Sequence, residues 1–246
     1  MATRRVDRPD RPQRSERGSP AYARVVVAGA TGLVGRALLA RLVADPKIAT
    51  AHALIRHKSQ AQGLPGGVTP RVLDVAVLAN GPAARLPAVD WAFCCLGTTI
   101  RRAGSPAAFR ALDFDAVLGF ARAAQAAGAS RLAVVSAMGA DPESVVFYSR
   151  VKGELEQALE ALALPRLVIA RPALLLGNRA ALGQPIRPVE LFAQAMMPAV
   201  GWMLPRRLRP ISADAVAGAM LRAMHQPLPA LQVLESDALQ DLAAGD

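Results

Sequence analysis

Three glycines at a spacing of three, Gly29, Gly32 and Gly35, stand between an apolar run, Arg24 to Ala28, and a helix-forming one, Leu33 to Ala44. A strand that turns sharply into a helix needs glycine for the turn itself, for backbone approach to a ligand and for close helix-to-strand packing. The first amides of that helix lack intrahelical partners and carry the positive end of its dipole, which suits them to a pyrophosphate. The glycine pattern alone also describes a tight structural turn. Its context, strand before and helix after, favours a dinucleotide site built from Gly29, Thr31, Gly32, Leu33, Val34, Gly35 and Arg36.

Further along, apolar strands alternate with helical stretches. Strands are expected at Ala51 to Ile55, up to Asp74, at Asp90 to Leu96, at Leu132 to Ser136 and at Leu167 to Ala170. Helices are expected at Pro106 to Ala127, closed by Gly128, at Val145 to Leu162 and at Ser212 to His225, with a short strand near Leu231 to Leu234. Such alternation demands an α/β fold, a Rossmann-type doubly wound parallel sheet with right-handed crossovers. The 246 residues fit one such domain, 21–246, with residues 172–246 as a small substrate-side elaboration. Residues 1–20, rich in Arg, Asp, Pro and Ser, read as a disordered basic tail.

The formal charge of +10 raises the question of nucleic acid, but aromatics make up only 4% of the chain and no dense basic run is interleaved with them. Stacking platforms are therefore hard to build, and nucleic acid is excluded as a partner. Cys94 and Cys95 are adjacent in an apolar run, where they behave as small hydrophobes rather than a disulfide. They suggest a reducing cytosol, and the acids Asp7, Asp10 and Glu16 argue against an N-terminal mitochondrial presequence, so the expected location is cytoplasmic. His52, His57 and His225 form no metal-ligand grouping, and no metal is expected.

Tyr148 and Lys152 are four apart and share one face of a helix. An ammonium close to a phenol lowers its pKa from about 10 and tunes it for proton transfer. Ser136, twelve residues before Tyr148 at the end of a strand, belongs to the edge of the sheet where open α/β folds bind ligands. The three form a candidate catalytic set in which hydride reaches a carbonyl carbon, Tyr148 protonates the oxygen, Ser136 hydrogen-bonds it, and Lys152 tunes Tyr148 and holds the nicotinamide ribose.

Where an NAD site places an acid on the ribose, this chain has Arg56-His57-Lys58. A guanidinium clamps a 2′-phosphate that a carboxylate would repel, so NADP(H) is expected over NAD(H), with solvated surface as the alternative role of these bases. Asp74 and Val75 follow the third strand, and Asp74 is either an adenine contact or a turn residue. Leu96, Gly97, Thr98 and Thr99 after the fourth strand suit the cofactor's ribose and phosphates.

Residues from Arg24 to about Leu176 resemble the atypical short-chain dehydrogenase/reductases. The strings Cys94-Cys95-Leu96-Gly97-Thr98-Thr99, Ser136-Ala137-Met138-Gly139-Ala140-Asp141, Tyr148 to Glu154 and Arg171-Pro172 are most similar to the HIV Tat-interactive protein-like NAD(P)-binding oxidoreductases and their bacterial relatives. The resemblance implies a Ser136, Tyr148, Lys152 triad, NADP(H) as cofactor, and Arg171 and Pro172 passing beside the nicotinamide. The chain departs from many short-chain dehydrogenases in having Leu96-Gly97-Thr98-Thr99 where an asparagine motif follows strand four.

Three functions follow: an NADPH-dependent reductase of a small carbonyl compound, a nucleotide-sugar epimerase or dehydratase, and an NADP(H)-sensing regulatory protein without turnover. The very apolar stretch Val189 to Leu204 is expected to wall the substrate pocket, with core, a peripheral membrane contact or a subunit contact as its other readings. The protein is expected as a monomer or homodimer.

Overall fold

The structure, a computed structural model, describes residues 22–80, 86–176, 205–227 and 229–245. The expected tail, 1–20, and the apolar stretch 189–204 lie outside the described residues.

Beyond the exposed Arg24, the first strand, β1 (Ala23–Ala28), is buried on both faces. Val25 and Val27 point into one apolar layer while Val26 and Ala28 point into the other, which is why the run is continuously apolar instead of alternating. It is flanked by β2 (Ile48–Ile55) and β4 (Trp91–Cys94), both parallel to it. With β3 (Val68–Val72), β5 (Arg131–Val135), β6 (Arg166–Arg171) and β9 (Leu231–Glu235) they form a seven-stranded sheet in the order β3-β2-β1-β4-β5-β6-β9, parallel at every junction. The order reverses between β1 and β4, and the crevice beyond their carboxyl ends is where such sheets take ligands.

Helices cover both faces. Helix α1 (Leu33–Ala44) buries Leu38, Leu39 and Leu42 completely, each worth about 1.5–3 kcal/mol of transfer free energy. It lies with α6 (Ala213–His225) and α7 (Ser236–Ala244) in one layer. The other layer holds α4 (Ala116–Ala126) and α5 (Phe147–Glu160). Ser212 caps α6 by accepting the Ala215 amide at 3.0 Å.

One expectation is corrected and one is refined. The segment 106–127 is not one helix: α3 (Pro106–Arg110) passes through a π-helical turn, Ala111–Asp115, before α4 begins. A wide turn of this kind changes which face is buried, and here it carries Asp113 fully into the interior. In its described residues, the C-terminal segment, read as a substrate-side addition, also contributes to the core. β9 extends the main sheet beside β6, α6 buries Met220 and Met224, and α7 buries Leu239. The two-stranded pairing of β7 (Leu175–Leu176) with β8 (Ile211–Ser212) stands apart from the main sheet. A short helix, α2 (Ile100–Ala103), follows β4, capped by Thr99 and ended by Gly104 in a left-handed conformation.

Candidate active site

A cavity of about 440 Å³ opens at the reversal point, lined by the ends of β1, β2, β4 and β5 and by α5. The glycine turn forms one wall. Gly29 has φ +75, and a Cβ there would stand 2.5 Å from the Cys95 carbonyl carbon and oxygen; a Cβ on Gly35 would stand 2.2 Å from the Gly29 oxygen. Both glycines are steric requirements of the turn. Gly32 differs: its φ is −78, it is the N-cap of α1, and it has no side chain to satisfy the amides that follow. Those amides border the cavity together with Thr31, Leu33 and Val34, so the turn fits a phosphate-bearing cofactor.

Leu96, Gly97, Thr98 and Thr99 line the facing wall, and Arg56, Asp74 and Val75 the far end. The loop carrying Arg56 is pinned by a residue not singled out in the sequence. Gln60, on a short 3-10 turn, accepts the Arg56 and His57 amides at 2.8 and 3.1 Å. Arg56 itself is exposed and lines the cavity. Asp74 does double service: it lines the cavity and accepts the Ala76 amide at 3.1 Å to start the next turn.

Four predicted cofactor residues do not line the cavity. Gly35 sits behind the turn as packing. Arg36 is directed at Gly63, whose added Cβ would lie 2.7 Å from its guanidinium, and its buried Nε has no hydrogen-bond partner among the described residues. Pro172 gives its carbonyl to the Met138 amide at 3.1 Å. Arg171 is turned to Glu156 and Glu235, at 2.5 and 2.9 Å. Hydrogen bonding to Glu156 holds the Arg171 guanidinium above its ordinary pKa against the opposing effect of burial.

Ser136, Tyr148 and Lys152 do meet at the cavity. Tyr148 and Lys152 rise from one face of α5, with the Tyr148 ring tilted against Phe109 at 5.3 Å between centroids. Each of the other two has an acid behind it that the sequence reading did not name. Ser136, 6% exposed, donates its hydroxyl hydrogen to Glu156, one turn past Lys152 on the same helix. Lys152, 2% exposed, sets its ammonium 2.7 Å from Asp113, whose other oxygen accepts the Thr98 amide at 2.9 Å. Burial, the largest influence, disfavours the charged ammonium, but the fields of Asp113 and Tyr148 and the hydrogen bond to Asp113 outweigh it and raise the Lys152 pKa. Lys152 is therefore charged at neutral pH.

Cys94 and Cys95 are free thiols, and burial pushes Cys94 up to about 12, so it is an unreactive filler of the core. Among the described residues no group of three His, Cys, Asp or Glu could hold a metal, and no helix is long and apolar enough to cross a membrane.

The family described as NAD(P)H-binding matches residues 29–184. Protein fmp52, mitochondrial, of Emericella nidulans is 34% identical over 182 residues, spanning 73% of this chain and 76% of that one. Protein FMP52, mitochondrial, of Coccidioides immitis is 30% identical over 232 residues, 89% and 91% of the two chains. Protein HTATIP2 of Rattus norvegicus is 34% identical over 171 residues, 69% and 68% of the two. Among solved structures, MoeE5 in complex with UDP-glucose and NAD superposes with a TM-score of 0.63 over 90% of this chain and 81% of that one, at 17% identity. The UDP-glucose 4-epimerase of Thermotoga maritima gives 0.62, 90%, 82% and 15%. These structures share the fold. The cytoplasmic expectation is overturned, because the fungal relatives are named as mitochondrial proteins. Buried free thiols fit any reducing compartment and could not single out the cytosol.

Proposed function

Because this chain belongs to the NAD(P)H-binding, atypical short-chain dehydrogenase/reductase family, we propose that it is an NADPH-dependent reductase of a small apolar carbonyl compound, with Tyr148 as proton donor. The observation that carries the reading is the placement of Tyr148, beside a buried charged lysine, on the wall of the same cavity that holds the glycine turn. The reduced nicotinamide supplies the hydride when bound.

The chain's own residues supply the rest. The glycine-turn amides hold the pyrophosphate, and Arg56 takes the 2′-phosphate. Tyr148 passes its phenolic proton to the carbonyl oxygen as negative charge develops there, leaving a phenolate that the Lys152 ammonium stabilises. Lys152 is held by its ion pair with Asp113, and its three N–H donors are what would hold the cofactor's ribose hydroxyls. Ser136 has one proton, which goes to Glu156, so its oxygen serves as an acceptor for the hydroxyl of Tyr148 or of the alcohol product. This differs from the donor role expected of it. Leu112 and Leu175 line the cavity, and Val145 and Val146 are exposed just before Tyr148, which supports an apolar substrate.

The test is NADPH consumption against a panel of aldehydes and ketones. Tyr148→Phe should lower turnover by about 10²–10⁴-fold while leaving NADPH affinity intact. Undiminished turnover in that variant would remove Tyr148 from the chemistry, and a wild-type protein that binds NADPH without consuming it would favour a sensing role.

A further inference from the structure

The proposed reaction gives a task to Arg56 and to Lys152 and leaves one cation of the cavity wall without any. Arg102 is exposed and lines the cavity. Its backbone is fixed, because its amide donates to the Thr99 hydroxyl oxygen at 3.3 Å in the cap that starts α2. Its guanidinium has no ion-pair partner among the described residues.

The sheet order says which half of the cavity Arg102 belongs to. β2, running into Arg56, and β3, running on to Asp74, lie on one side of β1; β4, leading to Arg102, and β5, leading to Ser136, lie on the other. The glycine turn after β1 stands between them. A cofactor with its pyrophosphate on that turn and its 2′-phosphate at Arg56 has its adenosine toward β2 and β3, so its nicotinamide and the substrate fall to the side of β4 and β5. Arg102 is on the substrate's side.

The charges and the apolar surface there set the chemistry. Of the charged residues lining that half, Lys152 and Asp113 are paired at 2.7 Å, and Arg102 is the one left unmatched. Leu112, 42% exposed, and Leu175 make that part of the lining apolar. An apolar wall with one free guanidinium suits a ligand with an apolar body and an anionic end, and the planar fork of arginine matches a carboxylate through two parallel hydrogen bonds.

We propose that Arg102 is a specificity-determining residue that binds a carboxylate on the substrate. The preferred substrate is then an oxo acid whose carboxylate is separated from its aldehyde or ketone by an apolar spacer. The proposal rests on the reductase reading and narrows its substrate class: Tyr148 and Ser136 take the carbonyl end, Leu112 and Leu175 the spacer, and Arg102 the acid.

The test compares acids with their methyl esters, which keep the carbonyl and the spacer and lose the charge. Two pairs serve: para-carboxybenzaldehyde and adipic semialdehyde, each against its ester. Calorimetric titration into protein saturated with NADP⁺ measures binding with no hydride to transfer. The wild type is expected to bind at least one acid more tightly than its ester by about fivefold or more at low salt, with the difference shrinking as salt rises. Arg102→Ala should abolish that preference, and Arg102→Lys, a point charge without the fork, should keep part of it. Arg101→Ala, an exposed neighbour that does not line the cavity, should keep all of it. NADPH affinity should be the same in all four proteins.

Acids that bind no more tightly than their esters, or a preference that survives Arg102→Ala, would overturn the proposal. So would a comparable loss of NADPH affinity in Arg102→Ala, which would assign the guanidinium to the cofactor's phosphates. NADPH consumption with the same compounds keeps the two readings apart. Acids bound through Arg102 but never reduced would support the carboxylate site and count against the reductase; esters reduced as readily as the acids would support the reductase and overturn the role of Arg102.

Discussion

The three glycines of the turn should separate cleanly when each is replaced by alanine. At Gly29, φ is +75 and the new Cβ would sit 2.5 Å from the Cys95 carbonyl and 2.7 Å from the Leu96 nitrogen, all backbone. The left-handed conformation costs a Cβ-bearing residue about 1–2 kcal/mol. Displacing the β4 terminus adds a further ~1–3 kcal/mol, as overpacking does elsewhere. Gly29→Ala should therefore lose roughly 2–5 kcal/mol, a fall in Tm of about 4–20 °C for a domain of this size. Gly32 carries no such strain. Its φ is −78 and its nearest obstacle is the Gly29 oxygen at 3.3 Å, so Gly32→Ala should cost no more than about 1 kcal/mol. Its methyl group would instead project where the pyrophosphate meets the free amides, and NADPH affinity should fall by about tenfold or more. Melting curves and calorimetric NADPH titrations on the two variants check both halves. The reasoning is refuted if Gly32→Ala melts as low as Gly29→Ala, or if it binds NADPH like the wild type.

Arg56→Ala should weaken NADPH by about tenfold or more and leave NADH affinity nearly unchanged, since only the former carries the 2′-phosphate; competitive titration of the two cofactors measures it, and equal loss for both would mean that Arg56 does not read the phosphate. Acid stability should depend on Asp90, whose carboxylate takes the Arg24 side chain and amide at 2.9–3.0 Å. Hydrogen bonding to the Arg24 side chain is the largest influence and, with its field and amide, holds Asp90 below the ordinary carboxylate range despite burial. A carboxylate depressed on folding stabilises the fold above its unfolded pKa and loses that contribution as pH falls through the folded value. Asp90→Asn should thus melt lower than wild type at pH 7, with the gap closing as pH falls through the depressed Asp90 titration, below the ordinary carboxylate range; a gap independent of pH would place the effect in shape rather than charge.

The architecture was legible because the central strands β1, β4, β5 and β6 are almost continuously apolar and alternate with helix-forming stretches. α1 begins and ends at Leu33 and Ala44, where the glycine turn and the apolar period place it. The π-helical turn was not legible, since Pro106 to Ala127 is uniformly helix-forming and nothing local marks a wide turn. The one available sign was Asp113, an acid between Leu112 and Phe114 in an otherwise apolar, alanine-rich stretch. Arg171 was placed beside the nicotinamide by the family resemblance, and its actual partners, 15 and 64 residues away, leave no periodic trace in the sequence. Glu156, by contrast, was within reach: it follows Lys152 by four and Tyr148 by eight, on the same helical face.

These omissions share a physical cause. Sequence spacing reports which side chains share an element's face, and so it found Tyr148 with Lys152. It does not report which charges are buried, and burial is what obliges Lys152 and Glu156 to have counter-ions on other elements. The counter-ions change the roles assigned to the residues they hold. Asp113 makes Lys152 part of a neutral pair and not a lone cation, and Glu156 takes the only proton Ser136 has to give. Spacing alone therefore identifies the members of the triad and not their partners, which burial draws from other elements.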